Sequence, residues 1–179
     1  MKKLILTAMI AALAPACAHE QKTANQAATL ESKAATTLTE MRQRDPTVDA
    51  VLQNAYAYAV LPDVGKAGFI AGGASGEGIL YEQGRPTGTV KLTQASVGAQ
   101  AGAQTFAQLV ILHNADEVTK LKAGSLDLGA TMSAVVLKAG GGAASDMARG
   151  ASVFIMPRGG AMVEASIAGQ QLSYQPFAA

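Results

Sequence analysis

Two hydrophobic periods divide this chain. From Asn25 to about Arg44 the residues Ala27, Leu30, Ala34, Leu38 and Met41 recur at spacings of three and four. That is the mark of one apolar helix face, with Lys33, Thr37, Glu40 and Arg44 falling elsewhere. The stripe is rich in alanine and suits close packing on another element better than deep membrane insertion. Asp45-Pro46 then ends one helix and opens another, with Asp45 as N-cap and Pro46 at the first helical position. Val48, Val51, Leu52, Ala55 and Tyr56 form the buried face of this second helix. Ala59-Val60-Leu61 runs extended to Pro62, and Asp63-Val64-Gly65 turns the chain into its rear part.

There the pattern changes to short apolar stretches set among small residues. All nineteen glycines lie between Gly65 and Gly169. Glycine in a strand interior costs roughly 0.5–1 kcal/mol against alanine, so it marks places where backbone turns or approaches closely. Residues 66–73 and 77–82 read as a hairpin, and Gln83-Gly84-Arg85-Pro86 as a further turn. Thr89 to Thr93 alternates, with Val90 and Leu92 on one side, as a half-buried strand does. Gln94 to Gln104 carries Ala, Ser and Gly at nearly every other position, which implies tight backbone contact, and Phe106 to Leu112 is a buried strand. Asn114-Ala115-Asp116-Glu117 opens a short helix in a capping-box-like arrangement, with Val118 and Leu121 inward and an end near Gly124. Residues 126–137 and 150–156 read as strands joined through Gly140-Gly141-Gly142. Arg158-Gly159-Gly160 reads as a hairpin turn, and Ala161–Ala168 with Gln171–Gln175 closes the sheet. The expected fold is α+β: two N-terminal helices packed on a glycine-rich, mostly antiparallel twisted sheet of about eight strands, with one further short helix.

The first residues change this picture. Met1-Lys2-Lys3 is a positive start, Leu4 to Leu13 is an apolar run of ten residues, and Ala14-Pro15-Ala16 is a small-residue cleavage region. Together they have the form of a secretory signal over 1–16. Ten helical residues rise only about 15 Å, half of a bilayer core, so the run is too short to be a stable span. Cys17 is the only cysteine, which excludes an intrachain disulfide and a cysteine metal cluster. Leu13-Ala14-Pro15-Ala16-Cys17 resembles a bacterial lipobox, with Leu one place early and Pro15 departing from the usual pattern. The resemblance implies a lipidated Cys17, and Ala18 after it implies retention at the outer membrane; the alternative is plain cleavage after Ala16 or Ala18. Residues 17–24 then form a tether, and 25–179 a single domain, as the length of 179 residues suggests.

Aromatics make up 4% of the chain and Trp is absent, so its core is built from Ala, Val, Ile and Leu. Without Lys2 and Lys3 the chain carries 12 basic and 13 acidic residues, a net of −1. A nucleic-acid binder needs a strong basic stripe to neutralise phosphates, and none is present.

Candidate chemistry is sparse. Nucleophilic hydrolysis needs a serine or cysteine with a base in reach. His19 lies in the tether, and His113, at a strand end, reads as a helix-entry residue. Gly73-Ala74-Ser75-Gly76 is the nearest approach to a nucleophile elbow and lacks its final glycine. There is no CxxC, HExxH or EF-hand loop. Gly65-Lys66 lacks the spacer and Ser/Thr of a P-loop, and Gly76-Glu77-Gly78 has Tyr81 where a dinucleotide fingerprint needs glycine. The sequence therefore points to a chain without catalysis, cofactor or metal. Binding remains. Lys66, Arg85, Lys91, Lys138, Arg149 and Arg158 are spread through the glycine-rich part, several beside bends. Gathered in one patch they would attract anionic headgroups at about 1 kcal/mol each. The plain alternative is a solvated surface balanced by Glu77, Glu82 and Asp146.

These segments also carry a family resemblance. Tyr58 to Phe69 followed by Gly72 to Gly78 resembles the opening block of the SYLF domain, and Thr93 to Gly102 with Phe106 to Leu112 resembles its central block. Gly129 to Ala134, and Gly150 to Phe154 with Gly159-Gly160, are similar to its closing blocks. The similarity spans roughly 48–176 in order. It implies a phospholipid-binding module and, as in bacterial members, a small secreted lipoprotein of the cell envelope. The expected partner is anionic membrane phospholipid. Lys66, Arg85 and Lys91 are the headgroup candidates, with Lys66 inside the Gly65–Gly68 block. A structural or protein-interaction role and a hydrophobic-ligand carrier are the alternatives.

Overall fold

Val60 and Gly78 belong to one strand, yet a side chain on Gly78 would collide with the Val60 carbonyl oxygen and approach the Leu61 Cγ at 2.8 Å. Gly76 lies in the same way against Val64, whose Cγ2 would be 2.8 Å from an added Cβ. The computed structural model describes residues 14–126, 128, 133–136 and 151–177; within it, residues 14–24, 99–100, 133–136 and 161–168 are described by their backbone. The elements are α1 (Ala14–Arg44), α2 (Thr47–Gln53), β1 (Ala57–Glu82), β2 (Arg85–Leu112), α3 (Ala115–Lys122), β3 (Ser133–Val136) and β4 (Ser152–Pro176). The class is α+β, as expected. Among the described residues the sheet has four strands in the order β1-β2-β4-β3. β1 pairs antiparallel with β2, β2 antiparallel with β4, and β3 parallel with β4.

Three of these strands have 25 to 28 residues. Straight, β1 would be about 85 Å long at ~3.3 Å per residue. It is instead folded back on itself near Ile70, a non-glycine residue at φ 67°. The ladder shows how. Phe69 pairs with Ala101 and Ala71 with Val97, so β2 sets Gly98, Ala99 and Gln100 against the single Ile70. The strand with extra residues takes the outer path round the corner and β1 the inner one. β2 stays in unbroken register with β4 through the same stretch.

Folding back buries both faces of the strand ends, which explains why the buried stretch Phe106 to Leu112 of β2 is apolar on both faces apart from Gln108. Successive strand residues point to opposite faces. Phe106, Val110 and Leu112 therefore enter one cluster with Leu61 and Val64 from the start of β1 and Leu80, Leu92 and Leu172 from the far ends of the strands. Val118 and Leu121 of α3 pack into the same cluster. Ala107, Leu109 and Ile111 enter the other, with Val60, Ile79 and Phe154, and there α1 (Ala34, Leu38, Met41) and α2 (Val48, Val51) cover them. Fully burying a Leu or Phe is worth roughly 1.5–3 kcal/mol, so these two clusters, at the strand ends, hold the fold.

Local caps behave largely as the residues dictate. Asn114 Oδ1 accepts from the Glu117 backbone N–H at 2.9 Å, opening α3, and Gly124 at φ 68° follows its end. Asp45 Oδ1 accepts from the Thr47 N–H at 2.9 Å and from its hydroxyl at 2.7 Å, but α2 starts at Thr47 with Pro46 in the N-cap position, so Asp45 is not the N-cap and Pro46 not the first helical residue as expected. Gln83 and Gly84, at φ 51° and 76°, form the two-residue turn between Glu82 and Arg85.

Several expectations are corrected. α1 begins at Ala14, so 17–24, read as a tether, is helical. Asp63-Val64-Gly65 is not a turn, and 66–73 does not pair with 77–82: both stretches lie in continuous β1 and pair with β2. Arg158-Gly159-Gly160 is a bulge inside β4, not a hairpin turn, because Thr105 pairs with Gly159 and Phe106 with Pro157. The expected count of about eight strands falls to four among the described residues for one reason: glycines read as chain reversals bend strands without ending their ladders. Of the strand expected over 126–137, residues 133–136 are observed; Gly140-Gly141-Gly142, Lys138, Asp146, Arg149, Gly150 and most of the Gly129 to Ala134 block lie outside the described residues.

The two ends of β1 meet in a tyrosine stack, Tyr58 on Tyr81, with ring centroids 5.0 Å apart and planes within 13°. Burial pushes the Tyr81 phenol up to about 12 from 10.0, helped by the nearby charge of Glu31 and by Tyr58. A raised phenol favours the protonated, folded form. The unfolded chain loses this proton first, so the stabilisation is complete below pH 10 and drains away between about 10 and 12. Urea midpoints measured across that window should fall for the native chain and fall less for Tyr81→Phe. An equal fall in both would place the stack elsewhere than in the folded state.

Candidate functional site

At the corner where β1 turns back, the apolar side chains face outward. Phe69 is 75% exposed, Ile70 64% and Val97 68%. Phe69 lies in the ladder opposite Ala101, and Val97 lies opposite Ala71, one residue past Ile70, so the three gather at one bend. Ala67, Ala71, Ala95, Ala101 and Ala103 around them are exposed as well. Residues 67–76 of β1 and 92–105 of β2 contain no charged side chain, with Lys66, Glu77 and Lys91 at their borders. On β4, Glu164 stands at the register position opposite Gln100. The backbone at this bend is held by β4, which pairs with β2 without a break, and by the β1–β2 pairs on either side of Ile70. Ile70 keeps a left-handed backbone that costs a β-branched residue of order 1–3 kcal/mol, which persists only where the surroundings enforce it. Single exposed apolar residues are ordinary; three large ones on one uncharged bend are not.

The predicted cations are not brought together. Lys66 is half-buried on β1 beside the bend, opposite Gln104. Lys91 sits opposite Glu77, and Arg85 opposite Glu82 at the far hairpin. From Ile70 to Glu82 is twelve residues of strand, about 40 Å of path, so Arg85 shares no surface with the bend. Arg158 is a structural clamp instead. Its guanidinium meets Glu40 Oε2 at 3.0 Å, donates to Thr37 Oγ1 at 2.8 Å and, through Nε, to the Pro62 carbonyl at 3.2 Å. Cys17 lies in the fourth position of α1, thirteen residues before Leu30, where the packing of the helix on the sheet begins.

Two polar arrangements were not visible in the sequence. His113 Nε2 is hydrogen-bonded to Ser152 Oγ at 2.9 Å, a base beside a hydroxyl. Ser152 is buried at the start of β4, and both oxygens of Glu117 are taken, by the His113 backbone N–H at 2.6 Å and the Asn114 amide at 3.1 Å. The pair ties α3 to β4 and leaves the hydroxyl out of reach of a substrate. The second is a glutamine chain: Gln170 donates to Gln94 Oε1 at 2.7 Å and accepts from Gln108 at 3.3 Å, while Gln108 Oε1 is buried without a partner. It links the two halves of the folded sheet. Glu82 holds α3 at the other end, bonded by Lys122 at 2.7 Å and by Thr87 at 2.9 Å. Burial raises its carboxyl, but the hydrogen bonds from Lys122 and Thr87 and the Lys122 charge outweigh it and hold the group below the ordinary range.

An open recess of about 350 Å³ lies at the far end from the bend, lined by Arg42, Asp49, Tyr56, Tyr58 and Gly84 among others. Among the described residues no group of three or more His, Cys, Asp or Glu is placed to hold a metal ion, and no helix is long and apolar enough to cross a membrane. Sequence reasoning sets Phe69 and Ile70 in the first arm of the expected hairpin, over 66–73, and so places the reversal after them rather than at them. No bulky residue lies across the ladder from Phe69 to cover it, a placement that only the register shows. No protein-family profile, no curated protein and no solved structure matches the chain.

Proposed function

We propose that this chain is a non-catalytic, phospholipid-binding lipoprotein of the bacterial cell envelope with a SYLF-type domain. It is exported by residues 1–16 and held on the periplasmic side of the outer membrane by lipid on Cys17. The observation that carries this reading is the uncharged bend exposing Phe69, Ile70 and Val97. Apolar residues set on an uncharged strand corner gain by leaving water for the headgroup–acyl boundary, at roughly 25 cal/mol per Å² removed from water. Lys66, beside that corner, is the cation best placed to meet an anionic headgroup; Lys91 and Arg85 lie progressively farther off and contribute less. One acyl chain anchors only marginally, so a protein contact beside it adds to retention.

The test is flotation of the mature chain beginning at residue 17, carrying Cys17→Ser, with vesicles containing phosphatidylglycerol. The protein should float, binding should weaken as salt rises, and Lys66→Gln should lower affinity about fivefold, the equivalent of ~1 kcal/mol. Failure to bind any vesicle would leave an interaction role within the envelope. Near-stoichiometric lipid extracted from the purified protein would make it a carrier.

A further inference from the structure

We infer that the β1–β2 bend is a membrane wedge: Phe69, Ile70 and Val97 enter the outer acyl region of a phospholipid bilayer, with Phe69 leading. The inference deepens the lipid-binding reading and rests on it. Three properties of the corner fit a bilayer. Its charge is right, because residues 67–76 and 92–105 carry no ionisable side chain and nothing on those segments would have to be neutralised on entry. Glu164 of β4 holds the register position opposite Gln100 and is the charge that the ladder sets across from the bend. Its backbone is right, because β2 stays paired with β4 through the whole bend, and with β1 up to Val97 and again from Ala101, so most of its groups there are satisfied within the sheet. Its shape is right, because alanine and glycine neighbours leave Phe69 and Val97 standing clear, and the left-handed Ile70 puts a third apolar side chain into solvent beside Phe69.

The chain also keeps the bend near its target. From Cys17 to Leu30, where packing on the sheet starts, α1 forms a stem of thirteen residues, about 20 Å. From Asp63, tied to α1 by Lys33 at 3.6 Å, to Phe69 is six residues of strand, also about 20 Å. A domain held on so short a stem meets the bilayer at a high effective concentration, which adds to the binding that the bend makes by itself. A second copy of the chain lacks this advantage.

The absence of tryptophan makes the experiment clean. In the mature chain with Cys17→Ser, Phe69→Trp places the sole indole at the bend, and Tyr56→Trp in a separate protein places it at the far end. On adding phosphatidylglycerol–phosphatidylcholine vesicles, Phe69→Trp emission should shift to the blue and be quenched by brominated lipid, while Tyr56→Trp emission stays unchanged. Phe69→Ser and Val97→Ser should each weaken flotation about tenfold. If the protein floats while the indole at 69 stays in water, the wedge is wrong and lipid binding stands. If nothing floats, the lipid-binding reading fails and the wedge with it. A blue shift that appears without vesicles and grows with protein concentration means that a second copy covers the bend, and overturns the inference.

Discussion

Gly78→Val abolishes the folded-back sheet, and the variant is expected to lose at least about 3 kcal/mol of stability or to collect as insoluble protein. A Cβ at 78 would overlap the Val60 carbonyl oxygen and lie 2.8 Å from both the Val60 carbonyl carbon and the Leu61 Cγ. The first two of these atoms are backbone, which no rotamer change can move aside. Ordinary overpacking of a core costs 1–3 kcal/mol because side chains give way, and here the two halves of β1 must separate. Separation exposes the cluster that joins Leu61 and Val64 to Leu80, Leu92 and Leu172. Against a total of about 5–15 kcal/mol the loss is large. Gly65→Ala is the matched control: nothing lies within 4 Å of an added Cβ there and its φ is not in the left-handed region. That change should leave stability the same or raise it by up to about 1 kcal/mol through the unfolded chain. Urea denaturation reads both. A Gly78→Val protein with an unaltered midpoint would mean that the two ends of β1 do not touch.

The same glycines explain why the topology was only partly legible. The amphipathic stripe of α1 is explicit in the chain, and Ala34, Leu38 and Met41 are buried where their spacing puts them. The cap of α3 was readable because it depends on one side chain and one nearby N–H, whereas that of α2 falls on Pro46, one residue after the expected Asp45. Strand ends were not. A glycine bends a ladder or breaks it, and the residue alone does not distinguish these outcomes: the difference lies in whether the neighbouring strand keeps pairing. Gly72 and Gly73 pair onward with Ser96 and Ala95, so what reads as two strands is one.

The candidate site was legible in composition and not in placement. Lys66, Arg85 and Lys91 are the headgroup candidates of the glycine-rich part, but the turn expected before Lys66 is continuous strand, and Lys91 and Arg85 face Glu77 and Glu82 across the ladder. The exposed corner came from the opposite kind of signal, the small residues set around Phe69 and Ile70, which emerges only once the register places Ala101, Ala71 and Gly98 there. Thr37 shows the same limit. Although the expected stripe leaves it out, it lies three residues after Ala34 and four before Met41, on the edge of that face, where it is buried and accepts from Arg158 of β4, a partner no spacing reveals.

That contact gives the second large effect. Arg158→Ala should cost about 2–4 kcal/mol and loosen α1 before the rest of the chain. The guanidinium serves three groups on two elements: Glu40 and Thr37 of α1 and the Pro62 carbonyl of β1. The ion pair with Glu40 is part-exposed on both sides and adds at most about 1 kcal/mol. The larger share comes from Thr37 Oγ1 and the Pro62 carbonyl, buried polar atoms that lose a donor, at about 1–3 kcal/mol for each group left unsatisfied. Glu40→Gln should therefore be mild. Arg158→Lys should recover less than half of the loss, since one ammonium cannot serve three acceptors spread along a planar fork. Thr37→Val removes a partner from the other side, and in a double-mutant cycle with Arg158→Ala the two changes should couple by about 1 kcal/mol. Limited proteolysis gives the spatial readout: in Arg158→Ala, cleavage within 30–44 should precede any cut in β1 or β2. If α1 stays protected and the urea midpoint holds, the arginine does not fasten the helix, and the apolar face of Ala34, Leu38 and Met41 holds α1 to the sheet by itself.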